Sequence, residues 1–178
     1  MIGRIRILGF VVLLGWAFCA FGLPKNIRKK VDKEIARTFE VTDFNLEPVT
    51  VPASLAAGLP APVDADHLFR IERAGELLGY AYASQAPSKT AEFDYLVLFG
   101  PDLKIAQARV LIYREEYGGE IGSNRWLRQF EGKGTNDRLS PDTNIDAISG
   151  ATISVRSMTR AVDELLQSLQ VLQQNSVL

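Results

Sequence analysis

The segment that decides the fold is DAISGATISVRSMTRAVDELLQSLQVLQQ, residues 146–174. Its first seven residues are mostly small or polar and include a glycine, so they predict a tight turn. From about Ile153 to Gln174, apolar residues recur three and four positions apart, which predicts a long amphipathic helix. The expected buried side of this helix is formed by Met158, Ala161, Val162, Leu165, Leu169 and Leu172.

The residues before this helix predict β-strands. Four segments are rich in β-branched and aromatic residues and are separated by short turns: His67–Glu72, Leu77–Ala83, Phe93–Phe99 and Ile105–Arg114. Consecutive strands joined by short turns favour an antiparallel meander. Strands first and a long helix last predict an α+β domain over residues 67–178, in which an antiparallel sheet packs against the C-terminal helix.

The residues between 25 and 66 predict a connection to that domain. Lys25–Phe39 has apolar residues every four positions and predicts a short helix. The following residues, 45–66, contain four prolines and many small side chains, which favours an extended linker or a strap along the surface. The prolines are Pro48, Pro52, Pro60 and Pro62.

The N-terminal residues 1–24 predict a signal peptide or a retained signal anchor. Arg4 and Arg6 precede the uncharged segment Ile7–Leu23, as in a secretory signal, and its length is close to that of a membrane span. Either interpretation predicts a domain on the extracytoplasmic side, such as the periplasm. The basic residues after this segment (Lys25, Arg28, Lys29 and Lys30) favour the opposite topology by the positive-inside rule.

Composition excludes several kinds of site. The 178-residue chain has a net charge of −1, which offers no electrostatic support for nucleic-acid binding. Its only cysteine, Cys19, lies in the apolar N-terminal segment, so the domain has no disulfide or thiol nucleophile. His67 is the only histidine, which excludes a multi-histidine metal site but leaves a Ser-His-Asp triad open. Demanding chemistry is therefore expected to come from a bound cofactor.

The turn before the last helix predicts a phosphate site. The first N–H groups of a helix lack internal partners, and the helix dipole is positive there. Gly150 and Ala151 would allow a bulky group to approach the backbone, while hydroxyls are offered by Ser149, Thr152 and Ser154. The alternative is an ordinary helix start, at which Ser149 acts only as a cap.

The residues from Asp146 to Thr152 resemble the flavinylation motif of the FMN-binding domain family. This family includes the flavin-carrying subunits of the sodium-pumping NADH:quinone reductase and of Rnf-type electron-transport complexes. The resemblance implies that a flavin transferase, using FAD, esterifies the FMN phosphate to Thr152. Asp146 matches the acidic position of the motif, and its small core is matched by Ser149, Gly150 and Ala151.

A glycine-rich loop, Tyr117–Gly122, is a second and weaker match to that family. The resemblance implies that Gly119, Glu120 and Gly122 line the cofactor, while the alternative is a plain surface loop. Ser123 is expected to cap a short helix through Phe130. The resemblance extends over about Leu68–Leu169.

These features predict an extracytoplasmic electron carrier, because FMN can pass one or two electrons. Its expected partners are the flavin transferase that attaches FMN and a membrane electron-transfer protein. No catalytic residue or metal ligand is predicted. Two alternatives stay open: a flavoprotein reductase that acts on a small acceptor, and an exported interaction module without a cofactor.

Overall fold

A computed structural model describes residues 22–141 and 143–178 of the chain. In this part of the chain, a five-stranded antiparallel sheet is covered by one long helix on each face. The helices and strands, in chain order, are α1 Lys25–Thr38, β1 Asn45–Pro48, α2 Ala53–Ala56, β2 Leu68–Arg73, β3 Glu76–Pro87, β4 Glu92–Phe99, β5 Ile105–Ile112, α3 Asn124–Leu127 and α4 Thr152–Gln174. Two 3-10 turns lie at Gly119–Gly122 and Arg128–Phe130.

The strands lie side by side in chain order, which confirms the predicted meander. In the pairing of β3 with β4, Pro87 lies opposite Glu92, and in the pairing of β4 with β5, Asp94 lies opposite Ile112. The end of β3, the start of β4 and the end of β5 therefore meet at one end of the sheet. The β3–β4 turn and the chain that follows β5 both emerge there.

Helix α4 covers one face of the sheet and buries the side that its periodicity predicted. Its residues Met158, Val162, Leu165 and Leu169 are fully buried, and Ala161 is partly buried. They pack in one core with the sheet's aromatic residues, among which Tyr80 and Tyr82 alternate on one strand. The side chains of these two tyrosines are therefore part of the core. The predicted α+β fold, with an antiparallel sheet and a C-terminal helix, is confirmed.

Helix α1 covers the opposite face, so it is more than a connection. Its residues Ile27, Val31 and Ile35 are buried in a separate core with residues of β2, β3 and β4. The four-residue spacing of these apolar positions is the pattern of a helix with one buried side, and the predicted helix is confirmed.

The segment predicted as an extended linker or a surface strap runs along the edge of the sheet, where residues 45–48 form strand β1. β1 pairs with β2 along the sheet edge, from Asn45 opposite Glu72 to Pro48 opposite Phe69. Farther along this segment, Val49, Ala61 and Val63 are buried. Proline is compatible with an edge strand, where no neighbour requires its missing N–H. Pro48, one of the four prolines that suggested a linker, is therefore accommodated at the edge of the sheet.

Strand β5 ends at Ile112, two residues before the prediction. Beyond it, Arg114 contacts the start of β4 through its side chain: the guanidinium lies 2.6 Å from Asp94 and donates to the Glu92 carbonyl at 2.8 Å. At Arg114, side-chain contacts to β4 thus take the place of the backbone hydrogen bonds of a strand.

The predicted signal or anchor falls almost entirely on residues 1–21, which lie outside the described part of the chain. Within residues 22–141 and 143–178, none of the helices combines the length and the apolar character that a membrane span requires.

Candidate functional site

The start of α4 is shaped by a left-handed glycine and lacks a side-chain cap. Gly150 has a φ of +82°, which an L side chain adopts only with strain, and Ala151 then turns into the helix. The Ala151 N–H donates to the Ile148 carbonyl at 3.1 Å, which closes the turn. Ala151 occupies the N-cap position and cannot accept a hydrogen bond with its methyl group, so the interpretation of Ser149 as the cap is wrong.

An uncapped helix start leaves backbone donors available. Val155 makes the first intrahelical hydrogen bond, to the Ala151 carbonyl at 2.9 Å. The backbone N–H groups of residues 152–154 therefore have no intrahelical acceptor. The helix dipole adds positive potential at the same place. Thr152 is the first helical residue and is exposed. An anion at this position would therefore meet unpaired donors beside a free hydroxyl.

A cleft of about 350 Å³ opens beside Thr152. Its walls come from three places: the start of α4, the chain after β5, and the β3–β4 turn. Two large apolar side chains at its rim are exposed, Tyr117 with 80% and Ile153 with 51% of their surface. The residues that line the cleft are Lys89, Tyr113, Glu115, Tyr117, Gly150, Ala151, Thr152, Ile153 and Ser154.

Gly118 brings the glycine-rich loop against the start of α4. Its φ is +80°, and a Cβ at this position would lie 3.0 Å from the Ala151 Cβ and 3.0 Å from the Tyr113 hydroxyl. That hydroxyl also lies 3.0 Å from the buried Ser154 hydroxyl. Only a residue without a Cβ allows this close approach, so the loop and the motif form one packed unit.

Glu115 fixes the β3–β4 turn that carries Lys89. Its carboxylate accepts hydrogen bonds from the Ser88 hydroxyl at 2.6 Å and from the Thr90 N–H at 2.7 Å. The Thr90 hydroxyl and the Ala91 N–H complete the set at 2.8 and 3.2 Å. These donors, the Ser88 hydroxyl first, lower the pKa of Glu115 from its ordinary 4.5 to about 2. The carboxylate is therefore ionised at neutral pH, and its oxygens are engaged by the turn.

A second cleft, of about 540 Å³, lies on the other side of the motif. Asp146 and Ser149 line it together with Glu120, Arg125 and Trp126. Two hydrogen bonds hold the Asp146 backbone. Its carbonyl accepts from the indole N–H of Trp126 at 2.8 Å, and its N–H donates to the Gln129 side chain at 2.8 Å. Ser123 caps the short helix that carries Trp126, as predicted from the sequence.

The structure divides the predicted site residues between these surfaces. Gly150, Ala151 and Thr152 line the first cleft, whereas Asp146, Ser149 and Glu120 line the second. Gly119 and Gly122 are exposed in a 3-10 turn and line neither cleft. The glycine that contacts the motif is Gly118, and only its position in the glycine-rich loop hinted at this role.

Five residues of the first cleft were missed as site residues: Lys89, Tyr113, Glu115, Tyr117 and Ile153. Lys89 lies 63 positions before Thr152 in the chain, and no local pattern connects them. They meet because the β3–β4 turn and the end of β5 emerge at the same end of the sheet.

Helix α1 begins at that same end of the sheet. The side chains of Glu34 and Arg109 pair at 3.0 Å, and those of Thr38 and Gln107 lie 2.6 Å apart. As the numbers rise along α1 they fall along β5, so the two elements run antiparallel. The first residues of α1 therefore lie near the end of β5, from which the chain enters the first cleft.

Comparison with known proteins supports one family. The model of the FMN-binding domain family matches residues 90–167, which include β4, β5, the glycine-rich loop and the whole Asp146–Thr152 motif. The crystal structure of NqrC from Shewanella oneidensis is similar, with a TM-score of 0.49 and 20% sequence identity over 74% of this chain and 69% of that chain. No curated protein sequence matches the chain.

Proposed function

Residues 90–167 match the FMN-binding domain family, and we propose that the domain that contains them carries FMN bound covalently through its phosphate to Thr152. The bound flavin makes the chain an electron carrier, since FMN exchanges one or two electrons. The observation that carries the proposal is the exposed Thr152 hydroxyl at an uncapped helix start, within a motif that matches the family's flavinylation motif.

The residues of the first cleft suit a flavin phosphate. Phosphoester formation needs an accessible oxygen, and Thr152 is exposed. The unpaired N–H groups at the start of α4 would hold the phosphate oxygens, and the helix dipole would favour their charge. Lys89, on a turn fixed by Glu115, adds a positive charge to the cleft wall. Because the Glu115 carboxylate accepts hydrogen bonds from four protein donors, its negative charge would stay stabilised next to a bound phosphate.

The rim of the cleft suits the flavin ring. An isoalloxazine ring presents two flat apolar faces, and exposed aromatic or aliphatic side chains are its natural contacts. Tyr117 and Ile153 are the large apolar side chains that the described residues leave exposed, and both border this cleft. Covering them would remove apolar surface from water, which contributes about 25 cal/mol per Å². We therefore expect the ring to lie between them.

Attachment would need a flavin transferase that uses FAD. The Thr152 oxygen would form the ester bond to phosphorus, the bond to the AMP half of FAD would break, and the hydroxyl proton would pass to the solvent. Asp146 and Glu120 lie with Arg125 in the second cleft and offer the transferase two carboxylates beside a guanidinium. The Trp126 and Gln129 hydrogen bonds would hold this surface in position.

We further propose that the domain lies outside the cytoplasm and exchanges electrons with a membrane protein. The apolar segment Ile7–Leu23 directly precedes α1 in the sequence. Because α1 begins at the end of the sheet that carries the first cleft, an anchor in this segment would keep the flavin near the membrane. A covalent bond would prevent the loss of FMN by dilution in that location.

An intact-mass measurement tests the bond. The full chain is produced together with an FAD-dependent flavin transferase, and we expect a mass increase of about 438 Da, the composition of FMN less water. Peptide mapping should locate it on Thr152. Thr152→Ala should abolish the increase, whereas Thr143→Ala, which alters an exposed threonine outside the motif, should retain it.

Other outcomes distinguish the alternatives. A colourless protein of unmodified mass would support a module without a cofactor. Release of the flavin on denaturation would contradict the ester bond but would agree with noncovalent FMN binding. Steady-state reduction of a small acceptor by the loaded protein, at rates above those of free FMN, would favour a reductase over a carrier.

A further inference from the structure

Helix α1 carries a concentration of positive charge that the rest of the chain lacks. Lys25–Thr38 contains six basic and two acidic residues, a net charge of +4. Residues 39–178 contain 12 basic and 19 acidic residues, a net charge of −7. The two parts of the chain therefore have opposite signs, and such a separation of charge indicates a surface directed toward an anionic partner.

The positive charges lie on the side of α1 that points away from the sheet. Ile27, Val31 and Ile35 face the sheet and are buried. At 100° per residue, the opposite side of the helix carries five basic residues, and Asp32 lies at its edge, where it pairs with Arg28. The basic residues there are all exposed, and we call them the basic face: Lys25, Lys29, Lys30, Lys33 and Arg37.

The acidic residues of α1 do not neutralise the basic face. Asp32 pairs with Arg28 at 2.7 Å, and Glu34 pairs with Arg109 of β5 at 3.0 Å. Within residues 22–141 and 143–178, no carboxylate forms an ion pair with a residue of the basic face. The five charges are therefore available to an external partner.

We propose that the basic face of α1 binds the surface of a bilayer that contains anionic phospholipid. The face is a line of charges that spans about 18 Å along the helix, which matches a planar array of phosphates. Four of its five residues are lysines, which bind phosphate as point charges and without the fixed geometry of an arginine fork. Each such residue near an anionic membrane strengthens binding about fivefold.

The order of the chain favours a lipid over an acidic protein as the partner. The apolar segment Ile7–Leu23 ends two residues before α1 begins, so a membrane anchor in it would hold the basic face at the lipid surface. A cluster of about four to eight Lys or Arg residues next to a membrane-spanning segment is a pattern that binds anionic lipid headgroups. The basic residues after the apolar segment, which favour the opposite topology by the positive-inside rule, would then bind the membrane surface on either side of the membrane.

The sheet separates this face from α4. The basic face points away from the sheet on the α1 side, while α4 packs against the other side. Lipid binding would therefore leave the outer side of α4 facing away from the bilayer and open to a protein partner. The proposal does not depend on flavin attachment, because none of the five residues lines either cleft.

Lysine reactivity in the full chain tests the proposal. The protein is placed in nanodiscs of phosphatidylcholine alone or mixed with phosphatidylglycerol, and a water-soluble acylating reagent is applied at less than one hit per chain. We expect Lys25, Lys29, Lys30 and Lys33 to react about fivefold more slowly in the anionic nanodiscs, with Lys104 and Lys133 unchanged. Salt near 1 M, where the screening length is about 3 Å, should remove the difference.

Matched variants separate the basic face from total charge. Lys29→Gln/Lys33→Gln should remove the protection of Lys25 and Lys30, since losing two charges weakens lipid affinity about twenty-five-fold. Lys104→Gln/Lys133→Gln removes the same amount of charge elsewhere and should retain the protection of Lys25 and Lys30. Thermal unfolding of both variants checks that the fold is intact.

Three results would overturn the proposal. The first is equal reactivity in both lipids, and the second is protection in phosphatidylcholine that the anionic lipid does not increase. The third is protection that appears only in native membranes and is lost when their proteins are digested, which would assign the face to an acidic protein.

Discussion

The indole nitrogen of Trp126 donates a hydrogen bond to the backbone carbonyl of Asp146 across 2.8 Å. Trp126 belongs to α3 and is buried, with an edge-to-face contact to Phe130. Asp146 begins the motif that leads to Thr152. This bond joins the start of the motif to the core through a side chain that lies 20 positions earlier in the chain.

Trp126→Phe should loosen the motif while preserving an aromatic ring in the core. The variant leaves the Asp146 carbonyl without its donor, which should lower the free energy of unfolding by about 0.5–1.5 kcal/mol. We also expect slower flavin loading by the transferase, because residues 146–152 would be held less firmly. Urea denaturation and a loading time course measure the two effects. Arg128→Ala, at an exposed neighbouring position, is the control, and equal behaviour of both variants would contradict this role of Trp126.

Gly118→Ala should disturb the contact between the glycine-rich loop and α4. The new Cβ would meet the Ala151 Cβ and the Tyr113 hydroxyl at 3.0 Å, at a φ of +80°. The left-handed conformation alone costs an L residue about 1–2 kcal/mol. Gly119→Ala is the matched control, because nothing lies within 4 Å of its Cβ. Denaturation curves should show a lower midpoint for Gly118→Ala than for Gly119→Ala, and the reverse order would refute the close-packing argument.

Glu115 should make stability depend on pH in acid. Its pKa is about 2 in the folded protein against an ordinary 4.5, so the folded state favours the ionised form. A lowered folded pKa contributes stability that is fully present above about pH 4.5 and is lost as the pH falls toward 2. Denaturant midpoints measured between pH 6 and pH 2.5 should therefore decline.

Glu115→Gln should be less stable than the wild type at pH 6 and should show a smaller decline in acid. The amide cannot gain or lose the proton that links folding to pH. Glu116→Gln alters the exposed neighbouring carboxylate and should follow the wild-type curve. If the two variants gave the same pH profile, the hydrogen bonds to Ser88 and Thr90 would not be the source of the effect.

Ile35→Ala should show that α1 is part of the folded domain. Ile35 is fully buried against the sheet, and truncation of such a side chain costs about 2–5 kcal/mol. Lys33→Ala, on the exposed side of the same helix, should change stability by less than about 0.5 kcal/mol. Unfolding free energies from urea titration test both. A small loss for Ile35→Ala would mean that α1 packs only weakly on the sheet.

Local patterns were sufficient for the elements that bury one regular side. The periodicity of Ile27, Val31 and Ile35 predicted α1, and that of Met158 to Leu172 predicted α4. The strands β2 to β5 followed from apolar runs between turns. Strand β1 was missed because its stability comes from pairing with β2, and a four-residue edge strand ending in proline has little local preference.

The sequence by itself determined the position of the motif, the helix that follows it and the family resemblance, because these depend on residues that are neighbours in the chain. Only the tertiary structure decided that Lys89, Tyr113 and Glu115 join Thr152 in one cleft, and that Asp146 faces another. It also decided that the charges of α1 form one exposed face, because burial of the apolar side against the sheet sets the direction of the rest. The physical reason is that strand register and helix packing determine which distant residues meet, and neither is encoded in a short stretch of sequence.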